Sequence, residues 1–176
     1  VSYDPDVDLL NRYSSDSVYL LRSNNIQGST LDLSDVQIVR SRRVSEAQEL
    51  RRGDIVICAA NGSRALVGKS ARFVIQGSRS YTFGAFMATL RVSETDSGFI
   101  FYLLQSRAYR LQLELILAGS SINNLRPSDI EELRFGIPAR KERDAIAKIL
   151  SDTDELIESL DQLITKKQLV KQATMD

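Results

Sequence analysis

The 176-residue chain has no histidine, a single cysteine and no net charge, its 23 Lys and Arg balanced by 23 Asp and Glu. Without histidine there is no Ser–His–Asp or Cys–His nucleophile system, no HExxH zinc site and no imidazole acid–base step. One cysteine forms no intrachain disulfide and supplies too few ligands for a structural zinc. Cys58 sits in the run Ile55-Val56-Ile57-Cys58-Ala59-Ala60, which reads as a small buried core residue and suits a reducing compartment. Zero net charge argues against a uniformly basic nucleic-acid coat and against a disordered acidic tail. The longest apolar stretches, such as Phe99-Ile100-Phe101-Tyr102-Leu103-Leu104, fall far short of the ~20 residues that cross a bilayer. No signal peptide is visible, and a cytoplasmic location without membrane partners is expected.

What is present divides near Pro138. All nine glycines, all three prolines and every aromatic residue lie at or before it, which separates a globular body, 1–138, from a helix-forming segment, 139–176. Over 139–173 heptad position a holds Ile146, Thr153, Leu160 and Lys167, and position d holds Ile149, Leu156, Leu163 and Val170. Position e adds Leu150, Ile157 and Ile164, so the stripe is wider than a two-stranded seam. Such a helix is roughly 50 Å long at ~1.5 Å per residue, more than one small domain covers. Ile146, Ile149, Leu156, Leu160, Leu163 and Val170 are therefore the expected interface with another helix, from this chain or a second copy. An ordinary long core helix is the alternative.

The body reads as mixed α and β. Strands are expected at Ser17–Leu21, Val36–Val39, Asp54–Ile57, Ala71–Ile75 and Phe86–Val92, with Gly53-Asp54 and Asn61-Gly62-Ser63 as turns. Phe99 to Ala118 reads as one helix, Arg126 to Leu133 as a short helix started by Ser128 or Asp129, and Arg134–Pro138 as a last strand. The fold class is α+β: a body with twisted β-strands followed by one long C-terminal coiled-coil helix.

Neutrality conceals an uneven charge distribution. Between Ile38 and Arg79 nine basic residues stand against Glu46, Glu49 and Asp54, an excess of six positive charges over 42 residues. Up to Pro138 the basic residues are 15 Arg and one Lys. Arginine's planar fork binds phosphate bidentately and pairs with guanine O6 and N7, so this stretch is a nucleic-acid candidate. The alternative is a solvated face whose arginines pair with acids distant in sequence. Two loops add detail. Asn61-Gly62-Ser63-Arg64 follows one apolar strand and Gly68-Lys69-Ser70 precedes the next, while Gly77-Ser78-Arg79-Ser80-Tyr81-Thr82-Phe83-Gly84 mixes arginine, hydroxyls and aromatics between strands. Glycines there let backbone approach a ligand closely. A phosphate loop is not supported, because five residues separate Gly62 from Gly68 and no helix signal follows Ser70.

The expected DNA contacts are Asn61, Ser63, Arg64, Lys69, Arg79 and Tyr81, with Arg40, Arg42, Arg43 and Arg72 serving phosphates. No catalytic residue and no metal ligand set is expected. Asp4-Pro5-Asp6-Val7-Asp8 resembles a frayed solvated segment, and neither a PD-x(n)-ExK nuclease pattern nor the Asn-Pro-Pro-Tyr motif of adenine methyltransferases occurs.

Four stretches together resemble one half of the specificity subunit of type I restriction–modification systems, a target-recognition domain plus one long helix. They are Tyr19–Gly28; Arg52-Gly53-Asp54-Ile55-Val56-Ile57 with Asn61-Gly62-Ser63 and Val67-Gly68-Lys69-Ser70-Ala71; Ala118-Gly119-Ser120-Ser121-Ile122-Asn123-Asn124-Leu125 with Asp129–Pro138; and the helix positions Glu142, Ile146–Leu150, Asp154, Ile157, Leu160, Lys171 and Gln172. Pro138-Ala139-Arg140-Lys141-Glu142-Arg143 stands where members usually carry Pro-Pro-Leu and then Glu-Gln. Members usually have two recognition domains and two helices; this chain has one of each. The resemblance implies a non-enzymatic subunit that reads one half of a split double-stranded DNA target. Antiparallel helices would set the gap between halves, through a second copy or the other half-subunit. It further implies docking of methyltransferase (modification) subunits and a restriction/motor subunit, which bind S-adenosylmethionine, ATP and Mg; the chain itself would hold no cofactor. The isolated chain is expected to bind DNA weakly, with affinity coming from assembly. A coiled-coil adaptor that never touches DNA is the competing reading.

Overall fold

The computed structural model describes residues 1–119 and 122–174, so Ser120 and Ser121 of the family-like pattern lie outside the described residues. The chain forms two compact units, Val1–Gly136 and Ile137–Asp176.

In the first unit the strands are β1 (Ser17–Leu21), β2 (Ile26–Gln27), β3 (Thr30–Leu31), β4 (Gln37–Arg40), β5 (Ile55–Cys58), β6 (Ser70–Arg72), β7 (Tyr81–Phe83) and β8 (Met87–Leu90). They make one sheet in the order β4-β1-β7, a second in the order β6-β5-β8, and a β2-β3 ribbon. β1 runs antiparallel to β4 and parallel to β7, where Tyr19 lies opposite Tyr81. Strand alternation explains how β5 serves two cores at once. Val56 and Cys58 face the cluster of Leu21, Ile26, Ala71, Phe73 and Tyr81. Ile55 and Ile57 face the opposite one, built with Val67, Tyr109, Leu113, Leu117 and Leu125. Cys58 is wholly buried, as its apolar run implies, and burial pushes its thiol pKa up.

The helices are α1 (Pro5–Asp8), α2 (Glu94–Leu103), α3 (Arg107–Ala118), α4 (Pro127–Glu131) and, in the second unit, α5 (Arg140–Ala173). Several expectations are corrected here. The single helix over Phe99–Ala118 is two, because Ser106 Oγ accepts from the Tyr109 backbone N–H at 3.2 Å and starts α3. α4 does not begin with Ser128 or Asp129 as its cap. Pro127 is the first helical residue and Asp129 reaches back from inside the helix, accepting from the Arg126 N–H at 2.7 Å. Arg134–Pro138 is not a strand; the Gln112 side chain donates to Arg134 O at 2.8 Å and accepts from Arg134 N at 3.0 Å, occupying the groups a strand neighbour would use.

The acidic N-terminal segment is no frayed tail. It forms α1, capped by Asp4, and its Asp8 is fully buried against Arg43 at 2.7 Å and Arg42 at 3.4 Å. Hydrogen bonds from Arg43 foremost, and then from the Asp4 N–H, hold the Asp8 pKa at about 2.

Gly68 adopts φ +81° with the Leu113 side chain and the Tyr109 hydroxyl directly where a Cβ would stand, and Tyr109 donates to Gly68 O at 3.0 Å. Gly68-Lys69-Ser70 thus packs a strand entrance against α3. Ser70, itself buried, opens β6 and no helix follows it, as the sequence indicated. The Gly53-Asp54 turn is equally structural. Gly53 has φ +93°, and buried Asp54 accepts from Arg91 at 2.7 and 2.9 Å and from the Arg51 N–H at 2.8 Å.

α5 runs for 34 residues, matching the expected helix. Ile149, Leu156, Leu160, Leu163 and Val170 are each about half exposed or more (48–64%). Lys148 pairs with Asp152 at 2.7 Å one turn away on its polar side. Among the described residues no helix is long and apolar enough to cross a membrane.

Candidate nucleic-acid interface

The fold sorts the basic residues of 38–79 into two groups. Five of them meet carboxylates: Arg42 and Arg43 at Asp8, Arg40 at Asp16 (4.0 Å), Arg51 at Glu46 (3.6 Å) and Arg52 at Glu94 (3.9 Å). Asp8, Asp16 and Glu94 are remote in sequence, so for these arginines the solvated-face alternative describes the geometry. Arg40 also donates to Val7 O at 3.3 Å. Arg42 and Arg43 neutralise a buried charge, a task that fixes their guanidinium groups.

Arg64, Lys69, Arg72 and Arg79 form no ion pair among the described residues. Arg64, Lys69 and Arg79 are nevertheless held. Arg64 donates to Glu114 O at 2.9 Å and lines, with Arg110 and Leu117, a depression of about 610 Å³ beside α3. Lys69 Nζ donates to Ile26 O at 2.9 Å. Arg72 lies at the end of β6 beside Arg52, Gly53 and Glu94.

Arg79 has the most defined mount. Its guanidinium stands 5.8 Å over the Tyr13 ring and 5.5 Å over the Tyr19 ring, and it donates to Tyr19 Oη at 3.1 Å. Tyr13 stacks on Tyr19 at 4.6 Å and Tyr19 on Tyr81 at 5.1 Å. The parallel β1–β7 pairing creates this column by setting Tyr19 beside Tyr81. Tyr81 is the inner ring, almost buried on β7, and burial first and Tyr19 second push its phenol pKa up. It serves as the base of the column, and Arg79 is the group presented to solvent.

Asn61 and Ser63 belong to a different assembly. The loop after β5 pairs with the segment after α3: Ala60 bridges Asn124, the Asn61 N–H donates to Asn123 O at 3.3 Å, and Asn123 Nδ2 donates to Gly62 O at 3.1 Å. Asn61 Oδ1 accepts from the Ser63 N–H at 2.9 Å, which shapes the turn, and Asn61 Nδ2 lies 3.5 Å from Ser23 Oγ. Beside this loop lies an open depression of about 610 Å³ lined by Ser23, Asn61, Phe86, Ile122, Asn123 and Asn124 among others. A second of about 500 Å³ continues it, sharing Ser23, Ala85 and Phe86. Among the described residues no carboxylate lines either one.

The expected contacts thus fall into separate places: Asn61 and Ser63 with Lys69 near the Ser23–Ile26 segment, Arg64 at α3, Arg79 and Tyr81 on the tyrosine column, and Arg40, Arg42 and Arg43 near α1. Sequence reasoning missed the part-buried Tyr13, Tyr19 and Asn123 and the exposed Asn124 and Phe86. Phe86 read as the start of a strand, yet it is 69% exposed on the turn before β8. Gly84-Ala85 immediately before it was the available turn signal. No group of three or more metal-ligating side chains occurs among the described residues.

Comparison with known proteins adds a family and a fold. The family model described as the type I restriction modification DNA specificity domain matches residues 33–167. The type I restriction enzyme EcoKI specificity subunit of Escherichia coli (strain K12) is 34% identical over 164 residues, covering 93% of this chain and 34% of that subunit. The StySPI specificity subunit of Salmonella potsdam is 32% identical over 164 residues with the same coverage, 93% and 34%. Among solved structures, a chain from work on complex assembly and conformational transition of the type I R-M system superposes with a TM-score of 0.59. It is 17% identical and covers 87% of this chain and 36% of that one. That likeness establishes the fold. The chain spans about a third of the length of the curated relatives it matches.

Proposed function

Because the chain belongs to the type I restriction–modification DNA specificity family, we propose that it reads one half of a split duplex DNA target and performs no chemistry itself. The body, 1–138, carries the reading surface. The helix segment, 139–176, pairs with a second copy or the other half of a full subunit and sets the distance between the two halves. Methyltransferase subunits, and a restriction/motor subunit where present, dock on this scaffold and bring S-adenosylmethionine, ATP and Mg. In this reading the chain works in the cytoplasm.

The observation that carries the proposal is the set of four cations within the basic stretch 38–79 that have no carboxylate partner among the described residues. After five of nine basic residues are consumed by ion pairs, Arg64, Lys69, Arg72 and Arg79 remain, and Arg79 is held over two tyrosine rings. Arginine fixed by stacking loses little rotamer freedom on meeting a phosphate or a guanine edge.

Equilibrium titration of duplex DNA with the assembled methyltransferase, across salt concentrations, tests it. Arg79→Ala or Arg64→Ala should weaken binding by about 1–3 kcal/mol and relax one target position if the side chain reads a base. A phosphate contact should weaken all sequences alike and flatten the salt slope by about one. The adaptor reading predicts no duplex affinity at any salt concentration, and binding untouched by both substitutions would remove these residues from the interface.

A further inference from the structure

Phe86 is the most exposed large aromatic side chain among the described residues, and no ordinary packing need accounts for it. Its backbone is rigid: Phe86 O accepts from the N–H groups of Ala59 at 2.9 Å and Ala60 at 3.1 Å, and the Met87 N–H donates to Gly84 O at 3.0 Å. The ring stands in a depression with Asn61, Asn123 and Asn124, whose floor is tied together by the Ala60–Asn124 bridge. Asn124 makes no side-chain hydrogen bond among the described residues, and Asn123 commits only one N–H, to Gly62 O. A carboxamide with a free oxygen and a free N–H matches adenine, accepting from N6 and donating to N7. An exposed phenyl ring matches the C5-methyl of the thymine paired with it. Among the described residues the lining has no carboxylate to repel a polyanion, and the adjoining segments carry Arg64 and Lys69, neither in an ion pair with a described residue.

The geometry points to this depression as a reader of one A·T base pair in the major groove, with Asn124 on adenine and Phe86 on the thymine methyl. This rests on the proposed reading of duplex DNA and adds the base identity and the residues that select it. Cations give affinity on this surface, whereas the Phe86–Asn124 pair gives sequence preference without charge.

The test uses the assembled methyltransferase and two probes: random-sequence duplexes from which the preferred target is selected, and the selected duplex with each thymine replaced in turn by uracil. One A·T position should lose about three- to tenfold in affinity on loss of the single methyl. In Phe86→Ala that difference should vanish while the other target positions keep theirs. Phe86→Leu should retain part of it, and Asn124→Ala should relax the same position. Equal thermal unfolding of Phe86→Ala and the parent excludes a folding defect, as expected for a ring so exposed. Three results overturn the inference with DNA reading intact: uracil tolerated at every position, a methyl preference that survives Phe86→Ala, or a Phe86→Ala loss shared by all sequences. Absence of any duplex binding by the parent enzyme overturns the DNA reading itself, and this inference with it.

Discussion

Asp8 shows how a residue's neighbours change what its sequence suggests. In a Pro-interrupted run of carboxylates it looked solvated, yet Arg43 and Arg42 enclose it and keep its pKa at about 2 against an ordinary 3.8. Because the folded value lies below the unfolded one, its stabilising contribution is complete above pH 4 and disappears as pH falls through about 2. Asp8→Asn should therefore lower the urea midpoint at pH 7, and the gap to the parent should close as pH approaches 2; an unchanged midpoint at pH 7 would contradict the pairing. Gly68 carries a comparable constraint in the backbone. A side chain there meets both a left-handed φ and the Leu113 side chain, so Gly68→Ala should cost roughly 1–3 kcal/mol or more in urea unfolding. Arg79 and Arg52 offer a matched pair for function. Both are exposed, but Arg52 already faces Glu94 while Arg79 faces only tyrosines, so Arg52→Ala should leave duplex affinity nearly unchanged where Arg79→Ala does not.

At the level of elements, periodicity was the dependable guide. Ser17–Leu21 and the long C-terminal helix were legible because their apolar spacing is set by local geometry. Breaks were less legible. Ser106 ends one helix and begins another through a single cap, and Ser106→Ala should cost about 1 kcal/mol of stability in denaturant titration. Segment 134–138 lost its strand to a side chain, Gln112, that no local pattern announces. β7 was hidden inside a polar loop because three residues give too short a signal. With it went the tyrosine column, which exists only through a parallel pairing of residues some 60 positions apart. The candidate contacts followed the same rule. Arginine enrichment was visible in sequence, but which arginines remain available depends on acids from α1, the strand-flanking turns and α2. For α5, the proposed pairing would use the half-exposed stripe. Leu160→Asp should shift the assembled chain toward monomer in sedimentation at micromolar concentration, and a strict monomer for the parent with its helix intact would contradict helix pairing.

For the whole molecule, zero net charge and a DNA-reading role are compatible because acids offset only part of the basic stretch. The motifs that resemble the family's divide accordingly. Gly53-Asp54 and Gly68-Ser70 build the body, while the surface they position carries Asn61, Arg64, Arg79, Phe86 and Asn124. Specificity should then reside in residues 1–138 and the spacing between half-targets in the helix. Exchanging residues 1–138 for the matching segment of the EcoKI specificity subunit, with α5 retained, isolates that division. Methylated sites of the assembled enzyme are then mapped across a genome. One half of the methylated sequence should change while the gap between halves stays the same. An unchanged sequence, or a changed gap with both halves preserved, would contradict that division.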